Sequence, residues 1–307
     1  MTTGVFRYLD PATLSINSED GSRVKPWAKV DTDVTSFSRK GVERNVANIR
    51  ESQSNFGIDS SGFAVYRAPA SVDTNLLLQD DAVVRGAYYD SVETILRAQL
   101  PGVRKVVIFD HTIRVHKPDA ARQPVQQVHV DQTPKAAEVR VRRHVSDPDE
   151  AEKLLAGRYQ LVNVWRPIGH AASDFPLAVV DWRTTDPEDL IAVDLLYPKR
   201  DANYDGDDRG KEIRPDPNAA MSTEGYEVKG ETYSVAPNEK HQFYYCKDMQ
   251  PDEVMFIKCY DSRSEGQPGG KKGVAALTPH TAFIDPGSAK GAKPRQSIEV
   301  RCLIFYD

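Results

Sequence analysis

Apolar and polar residues alternate along most of this chain in the manner of β-strands. From Val103 onward, runs rich in β-branched and aromatic residues are separated by turn residues, which predicts about ten strands at hairpin-like spacing. The predicted strands are residues 106–109, 113–115, 125–131, 159–167, 177–182, 191–197, 227–236, 242–246, 254–260, 274–283 and 297–306. Such a series predicts a mainly β fold with a double-stranded β-helix, or jelly-roll, core.

Two helices interrupt the β pattern. Residues 80–100 repeat apolar side chains near the 3.6-residue period, with Asp80 or its neighbour as the cap and Pro101-Gly102 as the stop. A second, short helix is expected at 146–155, with a proline near its first position and Gly157 after its end. We expect the longer helix to brace one of the sheets.

The chain is expected to form one jelly-roll domain over residues 1–307. In this division, residues 1–100 are an N-terminal extension that ends in the bracing helix, and residues 101–307 are the core. Residues 199–218 are rich in Asp, Gly, Pro and Arg, which is typical of an exposed polar insertion.

The composition argues against nucleic-acid and membrane partners. A net charge of −5 gives none of the basic excess that nucleic-acid binding uses. No apolar run approaches the roughly 20 residues that span a bilayer, and the N-terminus lacks a secretory h-region. Three scattered cysteines are too few for a disulfide scaffold. We therefore expect a cytoplasmic protein with a small-molecule substrate and no nucleic-acid or membrane partner, and the oligomeric state stays open.

Two metal-capable side chains, His129 and Asp131, lie two residues apart on a predicted strand and so point to one face. Alone this pair is a weak signal, but His280 follows on a later strand. Two histidines and one carboxylate form the facial triad that holds non-haem Fe(II) and leaves positions open for a co-substrate and O2. His170 and His241, which lie between Asp131 and His280 in the sequence, are alternative distal ligands. Neither is followed by an Arg-x-Ser strand, which favours His280.

A second constellation lies on the last predicted strand. Arg295, Ser297, Glu299 and Arg301 share one face of it. When 2-oxoglutarate chelates iron, its distal carboxylate points away from the metal, and an arginine fork binds a carboxylate through two hydrogen bonds. We therefore expect Arg295 and Ser297 to hold that carboxylate and Arg301 to contact the co-substrate nearer the iron.

Three further residues are weaker candidates for substrate contacts. Asn163 and Arg166 lie on a strand-like run that could line the cavity, and His241 lies near two tyrosines. Structural packing roles are alternatives for Arg166 and His241.

The order His-x-Asp, distal His, Arg-x-Ser resembles the Fe(II)/2-oxoglutarate-dependent oxygenase superfamily. The runs 163–167, 258–262, 278–283 and 295–301 are more narrowly similar to the CmcJ/AsaB-like, or gibberellin-desaturase-like, hydroxylase/desaturase family of fungi and bacteria. The resemblance covers about residues 100–306. It implies a cupin-like jelly roll, Fe(II), O2 and 2-oxoglutarate, and an enzyme of natural-product pathways that hydroxylates, desaturates or cyclises its substrate.

Two other classes stay open at this point. One is a non-haem iron oxidase that uses O2 without the oxoacid, as isopenicillin-N-synthase-like enzymes do. The other is a non-catalytic accessory protein with the same fold, which an intact ligand triad disfavours.

Overall fold

The structure, a computed structural model, describes residues 1–120, 122–199 and 220–306. Its strands are β1 (Thr2–Leu9), β2 (Trp27–Lys29), β3 (Arg39–Asn48), β4 (Phe63–Arg67), β5 (Val103–Val115), β6 (His129–Val130), β7 (Tyr159–Pro167), β8 (Leu177–Val180), β9 (Leu190–Pro198), β10 (Tyr226–Val235), β11 (Phe243–Tyr245), β12 (Glu253–Asp261), β13 (His280–Ala282) and β14 (Gln296–Tyr306). The chain is mainly β, as the sequence pattern predicts.

The strands form two sheets. The larger has the order β1-β3-β11-β8-β13-β6-β10-β9-β2 and the smaller has the order β4-β12-β7-β14-β5. Most neighbouring strands are antiparallel; β11 with β3 and β2 with β9 are parallel pairs. Strands distant in sequence, such as β6, β8 and β13, become neighbours, so residues from three parts of the chain meet at the centre of the larger sheet.

The helix expected at residues 80–100 is present in two α-helical parts, α1 (Asp81–Val83) and α2 (Tyr89–Gln99), with a π-helical turn between them. Asp80 caps it, because its carboxylate accepts hydrogen bonds from two backbone amides of the first turn. The turn contains Gly86 at φ −95° and ψ −107°, which interrupts the helical backbone. Buried residues of this helix pack in one cluster with β7, β12 and β14, so the helix covers the outer face of the smaller sheet.

Two more helices follow β6. The second, α4 (Pro148–Ala156), starts where the sequence indicates, with Asp147 accepting a hydrogen bond from the amide of Asp149. The first, α3 (Pro134–His144), is not among the sequence expectations. It is capped by the hydroxyl of Thr133 and has proline at its first position. Among the helices in the described ranges, none is long and apolar enough to cross a membrane.

The first 100 residues contribute more to the two sheets than an extension would. They supply β1, β2 and β3 to the larger sheet and β4 to the smaller sheet. The long β1–β3 hairpin-like pair forms one border of the larger sheet, and Phe6 and Tyr8 of β1 are fully buried. The polar insertion expected at residues 199–218 lies outside the described residues except for Lys199.

Candidate metal and co-substrate site

Three metal-capable side chains meet between the two sheets. His129 on β6 and His280 on β13 are directly paired across the ladder, and their ring centroids lie 4.5 Å apart. Asp131 follows β6 directly. One ligand atom from each of the three residues lies within 4.8 Å of the others. The structure therefore brings together the triad that the sequence predicts, with His280 as the second histidine.

Backbone carbonyls orient both imidazoles. Nδ1 of His129 lies 2.8 Å from the carbonyl oxygen of Gln127, and Nδ1 of His280 lies 3.0 Å from that of Thr278. A carbonyl only accepts, so each Nδ1 carries the proton and donates. Both Nε2 atoms therefore keep a free lone pair. Metal-binding histidines have this arrangement, in which the second nitrogen donates to a neighbouring acceptor.

One oxygen of the Asp131 carboxylate is hydrogen-bonded by the protein, and the other points towards the two histidines. Oδ2 accepts hydrogen bonds from Nδ2 of Asn163 at 2.8 Å and from Nε of Arg301 at 3.1 Å. Oδ1 lies 3.4 Å from Nε2 of His129. The two donors thus turn Oδ1 towards the point where a metal would sit, which favours coordination through a single oxygen.

The charges of the site favour its metal-binding protonation state. Burial alone would raise the pKa of Asp131, but the positive charge of Arg301 beside it holds that pKa well below its ordinary value. Burial, together with neighbouring His129, lowers the pKa of His280. A carboxylate and a neutral imidazole are the forms that bind metal. The donor set, its tautomers and its charge therefore fit Fe(II).

The facing wall of the site is the inner face of the smaller sheet. Strand pairing arranges its side chains in three rows that run across β5, β14 and β7. The rows are Arg114–Ser297–Pro167, Thr112–Glu299–Trp165 and Asp110–Arg301–Asn163. The third row reaches Asp131, and the first row lies four strand residues further away. The wall thus runs from the metal ligands to a cationic end.

Arg295 lies at the cationic end, directly before β14. Its side chain is 2% exposed, its Nη1 donates to the carbonyl of Phe175 at 2.6 Å, and its guanidinium lies 5.4 Å from the ring centroid of Trp165. Phe175 adopts a left-handed φ of 42°, an uncommon conformation for a residue with a side chain. Nε of Arg295 is buried and has no hydrogen-bond partner among the described residues. An unsatisfied buried donor beside a cavity fits a carboxylate ligand.

One cavity connects the triad with Arg295 and Ser297. Its lining consists of Thr112, Arg114, Val125, His129, Asp131, Trp165, Leu177, His280, Thr281, Ala282, Arg295, Ser297 and Glu299. Polar groups lie on the β5 and β14 side, and Val125, Leu177 and Ala282 give an apolar side near His280.

Two predicted residues, Arg301 and Asn163, contact a metal ligand and do not line the cavity. In addition to Asp131, Arg301 donates to Asp110 at 3.0 Å, Thr112 at 2.9 Å and Glu299 at 2.7 Å. Its donors are thus engaged by the protein itself. Both residues orient Asp131 in this structure, whereas the sequence predicts a co-substrate contact for Arg301 and a substrate contact for Asn163.

The other two residues predicted to contact substrate, Arg166 and His241, are not among those that line the cavity. Arg166 is fully buried on the outer face of β7, where its guanidinium bonds Tyr88 and two backbone carbonyls under the bracing helix. His241 lies between Tyr8 and Asp189, 3.0 Å from each. Both side chains serve packing. His170, the other alternative ligand, bonds a neighbouring backbone carbonyl and does not join the triad.

Arg114 and Trp165 line the site although the sequence argument assigns neither of them to it. Arg114 could have been predicted from its position on β5, because Asp110, Thr112 and Arg114 are two positions apart and therefore share one face of the strand. Trp165 lies two residues from Asn163 and so faces the same side of β7.

Known proteins resemble this chain over most of its length. The model of the oxidoreductase/YMDC permease-like domain family matches residues 7–305. The hydroxylase/desaturase efuI of Hormonema carpetanum is 28% identical over 282 residues, which are 85% of this chain and 83% of that protein. The Fe(II)/2-oxoglutarate-dependent dioxygenase nvfI of Aspergillus novofumigatus is 30% identical over 262 residues, with coverages of 83% and 80%.

A solved structure supports the same relationship. The iron and alpha-ketoglutarate-dependent endoperoxidase NvfI matches this chain with a TM-score of 0.77 and 26% identity, over 99% of this chain and 97% of that one. The predicted jelly-roll core is thereby confirmed, and so is the resemblance to hydroxylases and desaturases. The chain belongs to the oxidoreductase/YMDC permease-like family, within the Fe(II)/2-oxoglutarate-dependent oxygenases.

Proposed function

We propose that this chain oxidises a small natural product with Fe(II) held by His129, Asp131 and His280 and with 2-oxoglutarate held by Arg295 and Ser297. The observation that carries the proposal is the arrangement of the Asp131 carboxylate. Asn163 and Arg301 donate hydrogen bonds to one of its oxygens. The other oxygen is left for a metal, beside the Nε2 atoms of the two histidines. The protein is an oxidoreductase that uses Fe(II), 2-oxoglutarate and O2.

Each part of the site has a separate task. His129, Asp131 and His280 would hold the metal, and the cavity beside them would leave room for ligands that the protein does not supply. Arg295 and Ser297 fix the distal carboxylate of the oxoacid, which sets its position relative to the triad. When bound, the iron would let O2 act as the oxidant: O2 would take two electrons from the oxoacid, which leaves as succinate and CO2, and two from a C–H bond of the substrate.

The apolar side of the cavity is the proposed place of the substrate. Val125, Leu177 and Ala282 adjoin His280, so an aliphatic part of the substrate would lie next to the metal without a charged neighbour. Excluding water there protects the oxidant from side reactions. Hydroxylation, desaturation and ring closure all begin with removal of hydrogen from such a carbon. Three buried free thiols, Cys246, Cys259 and Cys302, are consistent with the proposed cytoplasmic location.

An anaerobic titration tests the proposal. Fe(II) and 2-oxoglutarate added to the purified protein should give the weak visible charge-transfer band of the chelate. Asp131→Ala should abolish the band through loss of iron, and Arg295→Ala should weaken oxoacid binding while iron stays bound. Arg104→Ala is the matched control, because Arg104 is exposed on β5.

Turnover separates the remaining reaction classes. With substrate, the proposal requires one succinate for each product molecule. Product without succinate would identify the oxoacid-independent iron oxidase, and a protein that retains no Fe(II) would refute the metal assignment.

A further inference from the structure

The cavity is lined by a second arginine, the partly buried Arg114, besides the buried Arg295. Arg114 lies on β5, directly opposite Ser297 in the strand register, and both residues line the cavity. Its guanidinium donates one hydrogen bond within the described part of the chain, from Nη1 to the carbonyl of Gln123 at 3.0 Å. Within that part of the chain, no carboxylate forms an ion pair with it. Most of its donors are therefore free to bind a ligand.

The positive charge of Arg114 disfavours the charged form of Arg295. Burial first, and then the charge of Arg114, lower the pKa of Arg295 to about 9. The charge of Glu299 favours both cations, but its carboxylate is bonded to Arg301 at 2.7 Å. A buried guanidinium group beside a partly buried one, neither with an ion-pair partner among the described residues, is unfavourable, and an anion placed between them would offset that cost.

The position of Ser297 indicates where this anion binds. Ser297 lies between the two arginines, as the cross-strand partner of Arg114 and two residues from Arg295 on the same strand face. A carboxylate has about four lone-pair sites, so it accepts from two guanidinium groups and a hydroxyl together. A co-substrate that chelates a metal at the triad would place the end furthest from the metal at this point.

We propose that Arg114 is a second anchor of the distal carboxylate of 2-oxoglutarate, so that the co-substrate pocket combines Arg295 and Ser297 of β14 with Arg114 of the edge strand β5. This inference rests on the proposed function, since it needs the oxoacid to be chelated at the triad. It adds to the Arg-x-Ser pair a binding residue from another strand.

The test measures oxoacid binding and not turnover. The Fe(II)-loaded protein is titrated anaerobically with 2-oxoglutarate or with 2-oxopentanoate, which chelates iron but lacks the distal carboxylate, and Kd is read from the charge-transfer band. Arg114→Gln should weaken 2-oxoglutarate about ten- to a hundredfold, as expected for a lost hydrogen bond to a charged group, and leave 2-oxopentanoate within about twofold. Arg104→Gln, on the same strand but exposed, should change neither Kd.

Arg114→Lys keeps the positive charge but lacks the two-pronged guanidinium group, so it should weaken 2-oxoglutarate binding less than Arg114→Gln does and leave 2-oxopentanoate binding unchanged. This variant replaces Arg114→Gln in the test if Arg114→Gln does not fold. An unchanged 2-oxoglutarate Kd overturns the proposal and would assign Arg114 to an anionic substrate. An equal loss for both oxoacids also overturns it, as general damage to the site. If the wild-type protein gives no charge-transfer band with either oxoacid, the proposed function itself fails.

Discussion

Asn163 offers the sharpest test of how the protein prepares its metal ligand. It is 1% exposed on β7, its Nδ2 donates to Oδ2 of Asp131 at 2.8 Å, and its own Oδ1 is buried without a partner in the described residues. Asn163→Leu keeps the approximate volume and removes the donor. Asp131 Oδ2 keeps its second hydrogen bond, from Arg301 at 3.1 Å, so the carboxylate is loosened and not released.

The magnitude follows from one lost bond to a charged acceptor. Such a bond contributes about 1.5–3 kcal/mol, and the buried Oδ1 that disappears with Asn163 offsets part of the loss. We therefore expect the free energy of unfolding of the metal-free protein to fall by about 1–2 kcal/mol. Fe(II) affinity should fall about tenfold, the lower end of the usual effect of residues that orient metal ligands.

The assay is an anaerobic competition for Fe(II) against a chromophoric chelator, with urea unfolding of the metal-free protein in parallel. Asn45→Leu on β3, where the side chain is exposed, should leave Fe(II) affinity unchanged. Asn163→Asp should be more harmful than Asn163→Leu, since it places a second carboxylate against Asp131. If Asn163→Leu binds Fe(II) as tightly as the wild-type protein while Asp131→Ala does not bind it, the claim that Asn163 orients the carboxylate is wrong.

Three other predictions concern stability and ligand linkage. Lys258 is fully buried, and its Nζ lies 2.7 Å from Oδ2 of Asp261. Lys258→Met should therefore lower the free energy of unfolding, measured in urea, by about 3–5 kcal/mol. Lys272→Met, at an exposed lysine, should leave the free energy of unfolding unchanged. Burial and nearby arginines lower the pKa of His144 to about 4, which favours its neutral form in the folded state. That stabilisation is complete above about pH 6.5 and is lost as the pH falls towards 4. In His144→Phe, Tm should therefore fall less than in the wild-type protein between these two pH values. An equal fall of Tm in both proteins would contradict the assignment. Fe(II) at a hundred times its Kd should stabilise the wild-type protein by about 2.7 kcal/mol, and a similar rise of Tm in His280→Ala would exclude His280 as a ligand.

The alternation of side chains on strands explains which site residues the sequence could reveal. His129 and Asp131 differ by two positions and face one side, and the same rule places Ser297 and Arg301 together. The rule also argues against pairing Asn163 with Arg166, since residues three positions apart on a strand face opposite sides. In the structure Asn163 faces the metal ligands, and Arg166 lies under the bracing helix.

The remaining features depend on tertiary pairing. That Arg301 contacts Asp131 follows from the meeting of two sheets, which no local pattern encodes. Arg114 enters the site because β5 pairs with β14, a partner far away in sequence. The helix α3 is different, because the Thr133-Pro134 pair at its start is a local signal that could have predicted it.

Because His129 and His280 are paired across two strands, iron binding depends on the correct alignment of those strands. The strands that carry them, β6 and β13, are two and three residues long, so few hydrogen bonds fix their alignment. A slip by one residue would turn one imidazole to the opposite face of the sheet and destroy the site. Chains trapped in such a misaligned state would keep nearly all of their secondary structure and still bind no metal. The fraction of a preparation that takes up iron thus counts the molecules whose central strands have aligned correctly.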